Sequence, residues 1–441
     1  MAEAAATIGQ CDRADAGAQL GVSQMEPLLY LVHRIPYPPN KGDKIRSFNL
    51  LRHLAERHSV FLGCFVDSAE DAAYVNGLRD WCAEVCAVPL DPRIARLRSA
   101  LGLLTGEALT LPYYRSVRLA RWVEQTVRMR AIRKAVAFSS PMAQYLRDFV
   151  ALQTVIDLVD VDSAKWASYA SEHRWPMSAV YRREGRRLLA FERAAVGRAA
   201  AGVLVTRAEV ALFDRLAPEC ASKMHVIENG VDSEFFSPDP ARPSPYPEDA
   251  HALAFTGVMD YWPNIDAVTW FAREVLPRIA ERAPSARFYV VGMNPTPAVQ
   301  ALAADPRVVV TGKVDDVRPY LQHAAAVVAP LRIARGVQNK VLEAMAMARP
   351  VVVSAAAAAG IAAQKGVEFE SADDADTFAA CTVRVLDPVV GGQMGGLARR
   401  RISAAYQWSL SLARFSLLLG DPDTALPHGP VAALASPVAA G

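Results

Sequence analysis

Short apolar blocks recur along the chain, and the stretches between them carry apolar residues at helical spacing. In the first half the blocks are residues 28–32, 59–65, 84–88, 135–139, 154–157, 202–206 and 225–227. In the second half they are residues 252–255, 287–291, 308–310, 326–329 and 351–353. The last of these is β-branched throughout, as suits an interior parallel strand. Ile45, Phe48, Leu51 and Leu54 mark one face of a helix beginning at Asp43, and residues 264–271 form another. Val337, Val341, Leu342, Met345 and Ala346 mark a third, which Arg349-Pro350 stops. Strands alternate with helices, so the expected fold class is α/β, each half a parallel sheet with helices on both faces.

At 441 residues the chain exceeds what one hydrophobic core usually serves. The rhythm breaks at ENGVDSEFFSPDPARPSPYPED, which is rich in Pro and Asp and has no helical period. The expected layout is a disordered extension over 1–25, a first domain over 26–228, a linker over 229–250 and a second domain over 251–405. A helix over 406–420, built on Trp408, Leu410, Leu412 and residues 415–419, and a disordered tail over 421–441 complete it. Residues 182–198 predict an Arg-rich helix with Glu184 and Glu192, most of it expected in solvent.

The net charge of +2 argues against a dedicated nucleic-acid binder. No apolar run is long enough for a membrane-spanning helix, and the first residues lack the basic start and apolar core of a signal peptide. Met25 is a candidate alternative start. The six cysteines are scattered, and Cys82 and Cys86 have no matching Cys or His cluster, so reduced thiols and a cytoplasmic protein are expected.

Three stretches carry candidate chemistry. Asn339, Lys340 and Glu343 lie off the apolar stripe of their helix and near its start. A helix N-terminus suits a phosphate, and a carboxylate one turn further in can accept from paired hydroxyls; together these suit a nucleotide. Lys340 and Glu343 also fit an ordinary i,i+3 surface pair. The second stretch is the Pro-rich loop from His33 to Gly42, at the carboxyl end of the first strand, where open α/β sheets bind ligands. Lys41, Lys44 and Arg46 would give it a positive rim, and Gly42, lacking a Cβ, would let its backbone approach a ligand. A solubilising loop is the plainer alternative. The third is DLVDVDSAKW, where Asp157, Asp160 and Asp162 follow a strand and suit hydroxyl binding or proton transfer. Asp162 equally suits the N-cap of a helix starting at Ser163. From Asp91 to Lys134, ten Arg and Lys against three Asp and Glu leave a local charge of +7 among apolar residues. That surface suits anionic lipid or an anionic acceptor, or is a solvated face.

ENGVD, FTGVMDYWPN and PLRIARGVQNKVLEAMAMARPVVVS together resemble the retaining glycosyltransferases of family four, over residues 26–420. HRIPYPPNKGDKIRSF with DLVDVDSAKW resembles more closely the sugar transferases of bacterial exopolysaccharide clusters that carry exosortase (PEP-CTERM) systems. The resemblance implies the GT-B fold, two facing Rossmann-like domains with a cleft between them, and a C-terminal helix crossing back to the first. It implies a retaining hexosyltransferase with a nucleotide-sugar donor in the second domain and a polyprenyl-linked or saccharide acceptor in the first. It implies no metal or other cofactor, no covalent nucleophile and no nucleic acid, and a place at the inner membrane face beside anionic lipid.

The family's E-x7-E pattern places its second Glu on Glu343, as a ribose ligand. Its first falls on Arg335, a departure. The segment after Gly257 lacks the usual cations, and Lys340 with Arg335 are expected to replace them. The implied donor set is Gly257, Asn264, Arg335, Gly336, Asn339, Lys340 and Glu343. The diphosphate or acceptor loop is Lys41, Gly42, Asp43 and Lys44, and Asp160, Asp162 and His33 are the candidates to orient the acceptor or move a proton. A sugar-nucleotide epimerase of the same fold and an inactive nucleotide-sugar-binding protein are the alternatives.

Overall fold

In the computed structural model, the structure describes residues 25–39, 42–100, 102–334 and 337–421. The expected extension, apart from Met25, therefore lies outside the described residues. The first sheet has seven parallel strands: β1 (Glu26–Val32), β2 (His58–Val66), β3 (Glu84–Pro89), β4 (Lys134–Phe138), β5 (Gln153–Val159), β6 (Ala201–Leu204) and β7 (Met224–Val226). Their order is β3-β2-β1-β4-β5-β6-β7. Leu29 and Leu31 of β1 enter one buried layer while Leu28, Tyr30 and Val32 enter the opposite one. Burial on both faces is what leaves such strands without a polar alternation.

The second sheet has β8 (His251–Thr256), β9 (Ala286–Val291), β10 (Val308–Gly312), β11 (Ala326–Ala329), β12 (Val351–Val353) and β13 (Glu370–Ser371), in the order β10-β9-β8-β11-β12-β13. β13 has no apolar block to predict it. In both sheets the strand order reverses at the first strand, between β1 and β4 and between β8 and β11. Connections leave to opposite sides at such a point and open a crevice. Residues 33–39 and the Gly257 turn both sit there.

No helix or strand occupies residues 229–250, but this segment is tied down. Val231 bridges to Gln407, and a Cβ on Gly230 would lie 2.6 Å from the Trp408 backbone nitrogen. The chain thus crosses between the domains twice, side by side. The second crossing leads into the helix Trp408–Leu418, whose Trp408, Leu412 and Phe415 join Leu28, Tyr30 and Leu51 in a layer of the first domain.

Several expectations need correction. Asp421 is buried and accepts from Lys134 Nζ (2.8 Å) beside His58 Nε2 (3.1 Å), so the tail begins after it; residues 422–441 lie outside the described residues. The helix after the Val337 segment spans Asn339–Ala346 and ends before Arg349-Pro350, where Ala348 turns to a φ of 56°. Glu184 and Glu192 are buried, not solvated. Their helix, Met177–Arg198, packs along Asp162–Glu172, and Glu184, Leu188, Glu192 and Val196 fall on the covered face.

Candidate active site

β8 ends at Thr256, and Gly257 and Val258 lead into the helix Trp262–Trp270. Asn264, in its first turn, is buried. Its Nδ2 donates to the Val258 carbonyl (2.9 Å) and its Oδ1 accepts from Lys340 Nζ (2.7 Å). The Lys340 ammonium also lies over the Phe255 ring, 4.0 Å from its centroid. A Cβ on Gly257 would come within 2.8 Å of Asn264 Nδ2 and 3.0 Å of Lys340 Nζ, so only glycine fits without displacing them. Lys340 thus reaches across to the turn after β8. It does not form the i,i+3 surface pair that was the alternative.

Burial pulls the Lys340 ammonium down to about 7, against the opposing charge of Glu343. Burial pushes the Glu343 carboxyl up to about 7, against the charge of Lys340. Near neutrality both groups sit close to a change of charge. Asn339 opens the helix, and its Oδ1 accepts from Asn229 Nδ2 of the linker at 3.3 Å. Arg335 and Gly336 lie outside the described residues, so the part of the charge hypothesis that rests on Arg335 has no placement.

The expected positive rim of the first domain does not form. The helix begins at Gly42, and its spacing turns Lys44 inward with Phe48 and Leu51, and Arg46 inward with Leu50 and Leu54. Lys44 is 1% exposed and holds Asp71 at 2.7 Å. Arg46, also 1% exposed, donates to Asp157 (2.8 Å) and to Asn229 (2.9 Å). Lys41 lies outside the described residues. Gly42 has open space where a Cβ would stand. Asp43 accepts from Arg34 (3.2 Å) and faces His33 Nε2 (3.5 Å). Burial opposes its ionisation, yet His33 and Arg34 hold the Asp43 carboxyl well below the usual range.

His33 follows β1, its ring stacked on Phe138 and edge-on to Tyr114. Asp160 and Asp162 follow β5, two strands away. Strand spacing separates the two groups by roughly 10 Å, so they do not form one constellation. The aspartates are not free carboxylates either: Lys165 Nζ holds Asp160 at 2.8 Å and Asp162 at 3.1 Å. Asp162 is the first residue of its helix, not the N-cap; Val161 precedes it without a side-chain cap.

Residues 250–388 match the family model described as Glycosyl transferases group 1. The chain is a glycosyltransferase. No curated protein matches it. Among solved structures it is similar to Anabaena Alr3699/HepE in complex with UDP and glucose, at 16% identity and TM-score 0.65 over 90% of this chain and 99% of that one. It is also similar to sucrose-phosphate synthase from Thermosynechococcus elongatus, at 17% identity and TM-score 0.66 over 89% and 98%. WaaG, a glycosyltransferase involved in lipopolysaccharide biosynthesis, aligns at 15% identity and TM-score 0.60 over 89% and 100%. The two facing sheets are the GT-B fold.

Around Asp160 and Asp162 lie polar residues that sequence reasoning missed. Lys165 is one; burial works against its charge, but the Asp162 and Asp160 carboxylates hold its ammonium well above the usual range. Glu192 lies beneath them, accepting from Ser163 Oγ at 2.6 Å. Burial, with the Asp162 charge adding to it, pushes the Glu192 carboxyl up to about 8. Glu209 accepts from the Val161 amide at 2.7 Å. Val159, the last residue of β5, has a φ of 68° where the register to β6 shifts. Such a backbone costs about 1–3 kcal/mol for a side-chain-bearing residue, and surroundings that over-determine it are typical of functional sites. The i+4 spacing of Glu184, Leu188 and Glu192 was the one sequence signal for the buried acids.

Proposed function

We propose that this glycosyltransferase moves a sugar, with retention of anomeric configuration, from a nucleotide-sugar donor to a polyprenyl-linked or saccharide acceptor in exopolysaccharide biosynthesis. The observation that carries the reading is the Lys340–Asn264–Gly257 arrangement at the N-terminus of the Asn339–Ala346 helix. A diphosphate there would meet a helix N-terminus and one ammonium, in a partly dry site where such donors act strongly on developing charge. Glu343, one turn along, is proposed to accept from the ribose hydroxyls. Neutralisation by these groups is proposed to serve without a metal. The leaving phosphate then helps to deprotonate the acceptor on the same face, so no covalent nucleophile takes part. The Asp160–Lys165–Asp162 cluster and His33 are assigned to orienting the acceptor in the first domain.

The acceptor reading extends to the membrane surface at the cytoplasmic face. No helix among the described residues is long and apolar enough to cross a membrane. On the basic segment, however, Leu97 is 75% and Leu104 86% exposed, beside exposed Arg93 and Arg96. Apolar side chains among arginines suit an anionic bilayer surface. A thermal-shift screen against UDP-, GDP- and other nucleotide sugars tests the donor assignment, since a ligand that binds only the folded state raises the midpoint. If no nucleotide stabilises the protein, the reading fails. Co-sedimentation with liposomes tests the surface: binding should need anionic lipid and weaken with salt.

A further inference from the structure

The helix that carries Asn264 has a second face. Asn264 turns inward, to Val258 and Lys340. Trp262 lies two residues earlier, about 200° around the axis, and is 44% exposed. From there Asp266, Trp270, Arg273 and Glu274 continue one stripe at spacings of three and four. Arg332, in the loop after β11, stands opposite. Together they line an open groove of about 480 Å³. The groove therefore opens on the face of this helix opposite to Asn264.

Three properties distinguish this face from an ordinary solvated one. Two tryptophans occupy it where charged residues would be usual, and Trp270 is fixed edge-on against Phe378 at 5.9 Å. Arg332 and Asp266 lie side by side, Nε donating to Oδ2 at 2.9 Å, so a planar polar wall is already set. The helix also changes to a π-turn over Phe271–Val275, within the groove. π-turns are rare and are found frequently at functional sites.

We propose that this groove is a second, non-catalytic saccharide subsite that holds a neutral segment of a glycan while transfer takes place in the cleft. A pyranose ring has an apolar C–H face that stacks on an indole and a rim of hydroxyls that suits a planar carboxylate and guanidinium. Two carboxylates and two guanidiniums leave the groove without net charge, which favours a neutral sugar over a phosphorylated one. The volume falls in the range of ordinary ligand pockets, about 300–1,000 Å³, with room for a short oligosaccharide.

The test uses the full chain, saturated with the nucleotide that stabilises it most, and saturation-transfer NMR with maltotetraose, cellotetraose, mannotetraose and chitotetraose. At least one tetrasaccharide is expected to bind with the nucleotide still in place. Trp262→Ala is expected to weaken that binding at least tenfold, and Thr269→Trp, which fills the groove, to abolish it; neither should change nucleotide binding. The proposal is overturned if none of the four binds, if the nucleotide displaces the sugar, or if both variants bind as the parent does. Failure to bind any nucleotide would instead strike the transfer reading, and the sugars would then be tested alone.

Discussion

Donor affinity should pass through a maximum near pH 7, because the two groups proposed to meet the donor need opposite charge states. A diphosphate favours charged Lys340, and ribose hydroxyls favour ionised Glu343. In the free protein both groups titrate at about 7. Above that pH, binding must return a proton to Lys340; below it, binding must remove one from Glu343. Each pH unit away from 7 then costs at most tenfold in affinity, about 1.4 kcal/mol. Relative to the maximum at pH 7, the loss should be about 25-fold at pH 9 and about threefold at pH 6. Calorimetry in two buffers of different ionisation enthalpy reads both the affinity and the protons exchanged. Net uptake is expected above pH 7 and release below it. Glu343→Gln should flatten the acid limb alone, and Lys340→Met the alkaline limb alone. An affinity unchanged from pH 6 to 9, with no proton exchange, would refute the reasoning.

Further outcomes follow from other contacts. Gly257→Ala should weaken donor binding roughly tenfold, since its methyl displaces the Lys340–Asn264 pair worth about 1.5 kcal/mol, measured by the same calorimetry. Lys165→Met leaves Asp160 and Asp162 facing each other; because Lys165 is partly exposed, urea unfolding should show a loss of only about 1–2 kcal/mol. Glu192 ionises in the unfolded chain near 4.5 but in the folded one near 8, so the folded state loses stability as pH rises between those values. The loss accumulates at up to about 1.4 kcal/mol per pH unit, begins above pH 4.5 and is complete above pH 8, and Glu192→Gln should remove it from denaturation curves taken at pH 5, 7 and 9.

The sheet architecture was legible because both faces of each sheet are covered. Val351, Val352 and Val353 announce a strand without any partner in view. Glu370 and Ser371 do not, since only backbone pairing with β12 makes them one. On the donor side the helix bearing Lys340 was legible from its apolar stripe, but the bond to Asn264 joins residues far apart in the chain. The first domain shows the limit more clearly. Lys44 and Arg46 read as a positive rim because the apolar spacing of Ile45, Phe48, Leu51 and Leu54 marks a narrower inner face than the helix has. The structure covers that helix so fully that it buries both charges against Asp71 and Asp157. Charge is visible in a sequence, whereas its direction depends on what packs around it.

The helix Trp408–Leu418 completes the first domain, yet it is among the last described residues to leave the ribosome. Until it emerges, Leu28, Tyr30 and Leu51 lack part of their cover. The domain that is synthesised first is therefore finished last, after the second domain has had time to form. A nascent chain stalled before Trp408 would present a folded transferase domain joined to an incomplete one, and its uncovered apolar layer would be a surface for a chaperone to hold.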